Sequence, residues 1–65
     1  MQTKTTALVL VAHVHRTGIE SAVRRLRAEG KNDKDALYEV IQAAQTADCP
    51  DLAAAACAIY EALQN

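Results

Sequence analysis

The sequence predicts an all-α fold: a small bundle of three helices, the first long or kinked near Thr17-Gly18, completed by homo-oligomerisation. Three observations lead there. Apolar residues recur at helical spacing, turn and cap residues punctuate the chain at Gly30 to Asp33 and Asp48 to Pro50, and bulky side chains are scarce. Of the 65 residues 51% are hydrophobic, yet there are two tyrosines, no Phe and no Trp, and much of the apolar count is alanine. Alanine favours helix and close packing but contributes little transfer free energy, so a core built this way is thin. A single domain of this length buries only about 60% of its unfolded surface, and further copies are one way to supply the missing burial.

The first segment, Thr5 to Glu29, holds most of the large aliphatic side chains and the arginines. At about 100° per residue, Leu8, Val11, Ala12, His15, Ile19, Ala22, Val23 and Leu26 fall within roughly a 120° arc, so one helical register accounts for the stretch. His13, Arg16, Glu20, Arg24, Arg27 and Lys31 form a separate, mostly basic band. Thr17-Gly18-Ile19-Glu20 fits the S/T-x-x-E capping box that starts a helix, which places a break or kink at Gly18. Between Ala7 and Val14 nearly every residue is apolar, and Leu10 and Val14 fall off the main stripe. A helix so apolar must be covered on more than one side, which assigns Leu8, Leu10, Val11 and Val14 to self-association. Met1 to Lys4 is a polar lead-in, with Thr5 or Thr6 as N-cap.

Residues 5–14 allow a second conformation. Thr5, Thr6, Val9, Val11 and Val14, with Thr3 before them, are β-branched and favour extended backbone. No later segment reads as a second strand, so a strand here pairs with its copy in another subunit. The order is then strand, helix, Gly30-Lys31-Asn32-Asp33, and a helix opening with Lys34-Asp35-Ala36-Leu37-Tyr38-Glu39-Val40-Ile41. Over Thr3 to Ala47 this order resembles a ribbon-helix-helix repressor, with the last helix as an addition. The resemblance implies a dimeric transcriptional regulator that reads the major groove with a paired antiparallel ribbon.

Gly30 is a natural C′ residue, where left-handed backbone ends a helix, and Asn32 or Asp33 caps the next one. That helix, residues 33–47, presents Ala36, Leu37, Val40, Ile41, Ala44 and Ala47 to the core, with Tyr38 on the other side as a rim residue or partner contact. Pro50 suits a first helical turn, with Asp48 or Cys49 as its cap. The last helix, residues 50–64, has Leu52, Ala55, Ala56, Ile59 and Leu63 on its apolar face, Tyr60 at the edge and Cys57 on the far side. No repeat or linker divides residues 1–65, which read as one domain.

Charge is distributed unevenly behind a net value of −1. Through Lys31 the chain carries six cations (Lys4, Arg16, Arg24, Arg25, Arg27, Lys31) and two anions (Glu20, Glu29), or +4. From Asn32 onward one cation, Lys34, meets six anions (Asp33, Asp35, Glu39, Asp48, Asp51, Glu61), or −5. Such halves either pack beside each other or offer a basic band to an anionic partner.

Reactive chemistry finds little support. Ser21 lies within a helical pattern with no nucleophile elbow, and two glycines make no phosphate-cradling motif. His13 and His15 share a face only in a strand, and the spacing of Cys49 and Cys57 fits no paired metal-ligand motif. No metal or cofactor is therefore expected, the cysteines read as structural thiols, and the protein is not expected to be an enzyme. The apolar run Ala7 to Ala12 is shorter than a signal-peptide core, which gives a cytoplasmic protein without a membrane segment.

The function expected is that of a small helical binding module, a regulator, adaptor or inhibitor acting by protein–protein contact. Arg16, Arg24, Arg27, Lys31 and Tyr38 are the contact residues, because arginine offers a fixed fork of donors to carboxylate or phosphate. A DNA-binding dimer is the alternative, and an oligomer binding a small phosphorylated ligand a third.

Overall fold

The computed structural model describes residues 4–64, which form four helices: α1 Lys4–Thr17, α2 Ile19–Ala28, α3 Asp33–Thr46 and α4 Pro50–Gln64. Among the described residues there is no strand. The condition for the ribbon-helix-helix order is therefore not met: residues 5–14 lie inside α1. The lead-in expected at Met1 to Lys4 lies, but for Lys4, outside the described residues. Lys4, Thr5 and Thr6 already belong to α1, so neither threonine is its N-cap.

The first expected helix is two helices because of Gly18. Its backbone, φ 92° and ψ 161°, occupies a region open essentially to glycine alone. The Gly18 N–H still donates to the Val14 carbonyl at 2.7 Å, and its carbonyl accepts from the Ala22 N–H at 3.2 Å. One residue thus closes α1 and opens α2. The capping box does not form: Gly18 itself is the N-cap, and Thr17, the last residue of α1, donates its hydroxyl back to the His13 carbonyl at 2.9 Å.

A change of direction at Gly18 means the two segments do not share a helical register. α1 buries Ala7, Val11 and Val14 and half-buries Leu10, while Leu8, Ala12 and His15 are exposed. α2 buries Ala22 and Leu26. A wheel drawn straight through Gly18 selects α1 residues in phase with α2, and those are the wrong ones. Folding back at the break also lets α2 and α3 cover α1 within one chain. Val11 and Val14, expected at a subunit interface, are 6% and 4% exposed in the chain's own core. Leu8 and Val9 stay outside.

Both later turns are built alike. At the end of α2 the Gly30 N–H donates to the Arg27 carbonyl and the Lys31 N–H to the Leu26 carbonyl, with Gly30 at φ 103°. This is the Schellman pattern, which satisfies carbonyls that a helix end would otherwise leave bare. Asn32 then caps α3, its side-chain oxygen accepting from the Asp35 N–H at 2.8 Å. At the end of α3 the same two bonds recur, Asp48 N–H to Gln45 carbonyl and Cys49 N–H to Ala44 carbonyl, with Asp48 at φ 59° in glycine's place.

α3 is the central element, packed against each of the other three helices, whereas α4 packs chiefly on α3. α3 buries Ala36, Leu37, Val40, Ile41, Ala43 and Ala44, and Val40 is the bulkiest side chain to be fully enclosed. Ala7, Ala22, Ala36, Ala43, Ala44 and Ala56 are all at 0% exposure, so alanine sits where helices approach closely. The radius of gyration, 10.6 Å, is about that of a compact single chain of this length. Among the described residues no helix is long and apolar enough to cross a membrane.

Candidate functional site

α4 departs most from its expected packing. Leu52 and Ala56 are buried, and Ala53 and Tyr60 pack against the core, but Ala55 is exposed and Ile59 and Leu63 remain 41% and 44% exposed. These last two do not face water at random. With Ile19 and Val23 of α2 and Leu37 of α3 they line a groove of about 300 Å³, bordered by Glu20 and Asp33. The groove exists because α2 and α4 each pack on α3 and scarcely on each other.

A second concavity lies at the α2–α3 turn. It is open and shallow, about 550 Å³, and is lined by Arg24, Arg27 and Lys31 together with Ala28, Gly30, Asn32 and Asp33. The Schellman turn at Gly30 leads the chain directly into α3, which sets Lys31 and Asp33 beside the last turn of α2. Asp33 borders both the groove and the depression, so the apolar and basic surfaces are contiguous around the start of α3.

Most cations there already have carboxylate neighbours. Within α2, Arg24 lies 3.4 Å from Glu20 and Arg25 lies 3.9 Å from Glu29, both at i,i+4 spacing. Two further pairs join the basic half of the chain to the acidic half: Arg27 Nε to Asp33 Oδ1 at 3.2 Å, and Lys31 Nζ to Glu39 Oε2 at 3.3 Å. The first three pairs are largely exposed and contribute a few tenths of a kcal/mol each, roughly, so an incoming carboxylate competes with them at little cost. The Lys31–Glu39 pair is more enclosed, and Glu39 Oε2 is shut off from solvent.

Of the five contact residues expected, the structure brings three together. Arg24, Arg27 and Lys31 share the depression, whereas Arg16 ends α1 exposed and lines neither concavity. Tyr38 is 53% exposed on α3, its ring 6.5 Å from that of Tyr60 on α4. Sequence reasoning placed Ile19, Val23, Ile59 and Leu63 on core-facing stripes; Ile19 and Val23 do pack against the core, but Ile59 and Leu63 stay exposed, and the groove that the four share was missed. A signal was present: the apolar residues of α4, from Ala58 round to Ala53, spread over roughly twice the arc that one core-facing stripe needs.

His13 and His15 point about 160° apart around α1 because both lie in a helix. Cys49, half-buried, and Cys57, exposed, are free thiols. Among the described residues, no three His, Cys, Asp or Glu side chains are grouped so as to hold a metal ion. No protein-family model, curated protein or solved structure matches the chain. What the arrangement offers chemically is recognition: an apolar slot for aliphatic side chains, beside guanidinium and ammonium groups for carboxylates.

Proposed function

We propose that the protein is a non-enzymatic binding module acting by protein–protein contact, and that α2 is its working element. The observation that carries this reading is the shared border at Asp33, which sets the groove floored by Leu37 next to the depression holding Arg24, Arg27 and Lys31. An amphipathic helix with acidic residues along one edge matches that surface: its aliphatic side chains enter the groove, and its carboxylates reach Arg24 and Arg27. The module works in the cytoplasm, where its two free thiols stay reduced.

Affinity capture with the native chain, in nuclease-treated extract, tests this. Ile59→Asp/Leu63→Asp and Arg24→Glu/Arg27→Glu should each lose the captured protein, and Leu8→Asp should keep it. Retention by both the groove and the arginine variants would overturn the reading, and loss on nuclease treatment alone would point to nucleic acid.

A second reading, a small phosphorylated ligand, draws on the placement of the same three cations at the N-terminus of α3. Two of them already engage Asp33 and Glu39, which favours a partner broad enough to use the groove as well. A thermal-shift screen against nucleotides tests it, since a ligand of the folded state raises the melting temperature.

A further inference from the structure

The three cations of the depression are not held alike. Arg24 pairs with Glu20 at 3.4 Å and Arg27 with Asp33 at 3.2 Å, and all four side chains are at least half exposed. Lys31 pairs instead with Glu39, the most enclosed of the paired carboxylates, which faces the α1 side of the molecule. The two exposed pairs lie along the boundary between the two surfaces: Glu20 and Asp33 are the acidic residues that border the apolar groove, and Arg24 and Arg27 line the basic depression. Each of these arginines already holds a carboxylate of its own chain where a partner's carboxylate would come.

We propose that Glu20 and Asp33 determine the specificity of this surface, occupying Arg24 and Arg27 in the free chain so that a ligand offering negative charge alone is turned away. The proposal rests on the reading of groove and depression as one docking surface, and it says which ligands that surface refuses. Exchanging one exposed carboxylate for another on the same arginine is nearly neutral in energy, while association itself is costly. A ligand gains only by bringing something the internal pair lacks. The groove beside the pairs supplies that gain, because aliphatic side chains lose water there against Ile19, Val23 and Leu37. An acidic chain without such side chains has nothing to set against the cost. The same holds for a nucleic-acid backbone, whose binding depends on cations free to replace its counterions. Discrimination of this kind comes from making the wrong ligand's binding unfavourable rather than the right one's tighter.

Titration with hexaglutamate, an acidic peptide without apolar side chains, followed by NMR of the full chain, tests this. In about 0.1 M salt, charges more than roughly 10 Å apart are largely screened from each other. The native chain should bind the peptide with a midpoint above about 10 mM, and Glu20→Gln/Asp33→Asn, which frees both arginines, should bind it about tenfold more tightly. Asp48→Asn/Asp51→Asn removes the same charge beyond the far end of α3, about 20 Å from Asp33, and should bind as weakly as the native chain. Adding Arg24→Gln/Arg27→Gln to the freed variant should abolish the gain. The Arg27 Nε–H resonance, which faces Asp33 Oδ1, should shift in the freed variant before any peptide is added.

All the substituted side chains are exposed, and circular dichroism checks that each variant is folded. Asp33→Asn alone provides a second measurement should the double change unfold the chain, with binding about threefold tighter than native. No gain in the freed variant, or an equal gain in Asp48→Asn/Asp51→Asn, overturns the proposal while leaving the docking surface standing. A gain that survives the loss of both arginines overturns the basic half of that surface as well.

Discussion

Three residues with left-handed backbone decide where this chain turns, and they differ in how readable they were. Gly30 was legible as a helix terminator because glycine followed by a polar cap is the usual end of a helix. Gly18 was legible as a possible break, but the capping box beside it suggested the wrong residue for the job. A Cβ at Gly18 would touch nothing within 4 Å, so the cost of a side chain there is purely one of backbone conformation. Gly18→Ala should therefore lose about 1–3 kcal/mol, read as a fall of several degrees in melting temperature. Asp48 was legible as a turn residue but not as the one that closes α3: its place before Pro50 suits a cap for the next helix, whereas it holds the left-handed position of the Schellman turn, which aspartate tolerates better than most residues. Asp48→Gly should raise stability by about 0.5 kcal/mol, the relief of left-handed strain outweighing the entropy glycine adds to the unfolded chain. Both changes are measured by thermal or urea unfolding.

At the scale of helices, the sequence disclosed the helical character of α2, α3 and α4 and most of what α3 buries, but left residues 5–14 open between helix and strand. It was less informative about the outer helices, because an alanine-rich helix has no single face that composition alone can mark. In α1 the large residues Leu8 and Val9 point outward while the small Ala7 is fully buried, so size misleads: the close approach to neighbouring helices selects the smaller side chain. The consequence is testable at two positions three residues apart. Val11→Asp places a carboxylate in the core, a cost of several kcal/mol against a small domain's marginal stability, roughly enough to abolish the unfolding transition. Leu8→Asp should change stability by no more than about 0.5 kcal/mol. In α4 the ambiguity ran the other way, and the wide apolar arc hid a core stripe and a groove-facing edge in one pattern.

Across the whole molecule, the segregation of charge was visible from the sequence, but its use was not. Arg27–Asp33 and Lys31–Glu39 tie the basic half to the acidic half around the α2–α3 turn, while Asp51 and Glu61 on α4 form no ion pair among the described residues. The core closes within one copy, so the burial expected to come from further copies is supplied by α1, α2 and α4 packing around α3. The expected contact residues were legible as a basic band, and three of them meet. The groove that gives them context depends on α2 and α4 both leaning on α3 without meeting, a tertiary fact that no helical wheel contains.

Amide hydrogen exchange compared between the free chain and the chain in complex with its captured protein tests this surface most directly. Added protection should appear in Ile19–Lys31 of α2 and its turn and in Ala55–Leu63 of α4, with the exposed flank of α1 at Leu8 and Val9 unchanged. Protection confined to α1, with α2 and α4 exchanging as in the free chain, would contradict the assignment of binding to the α2 flank.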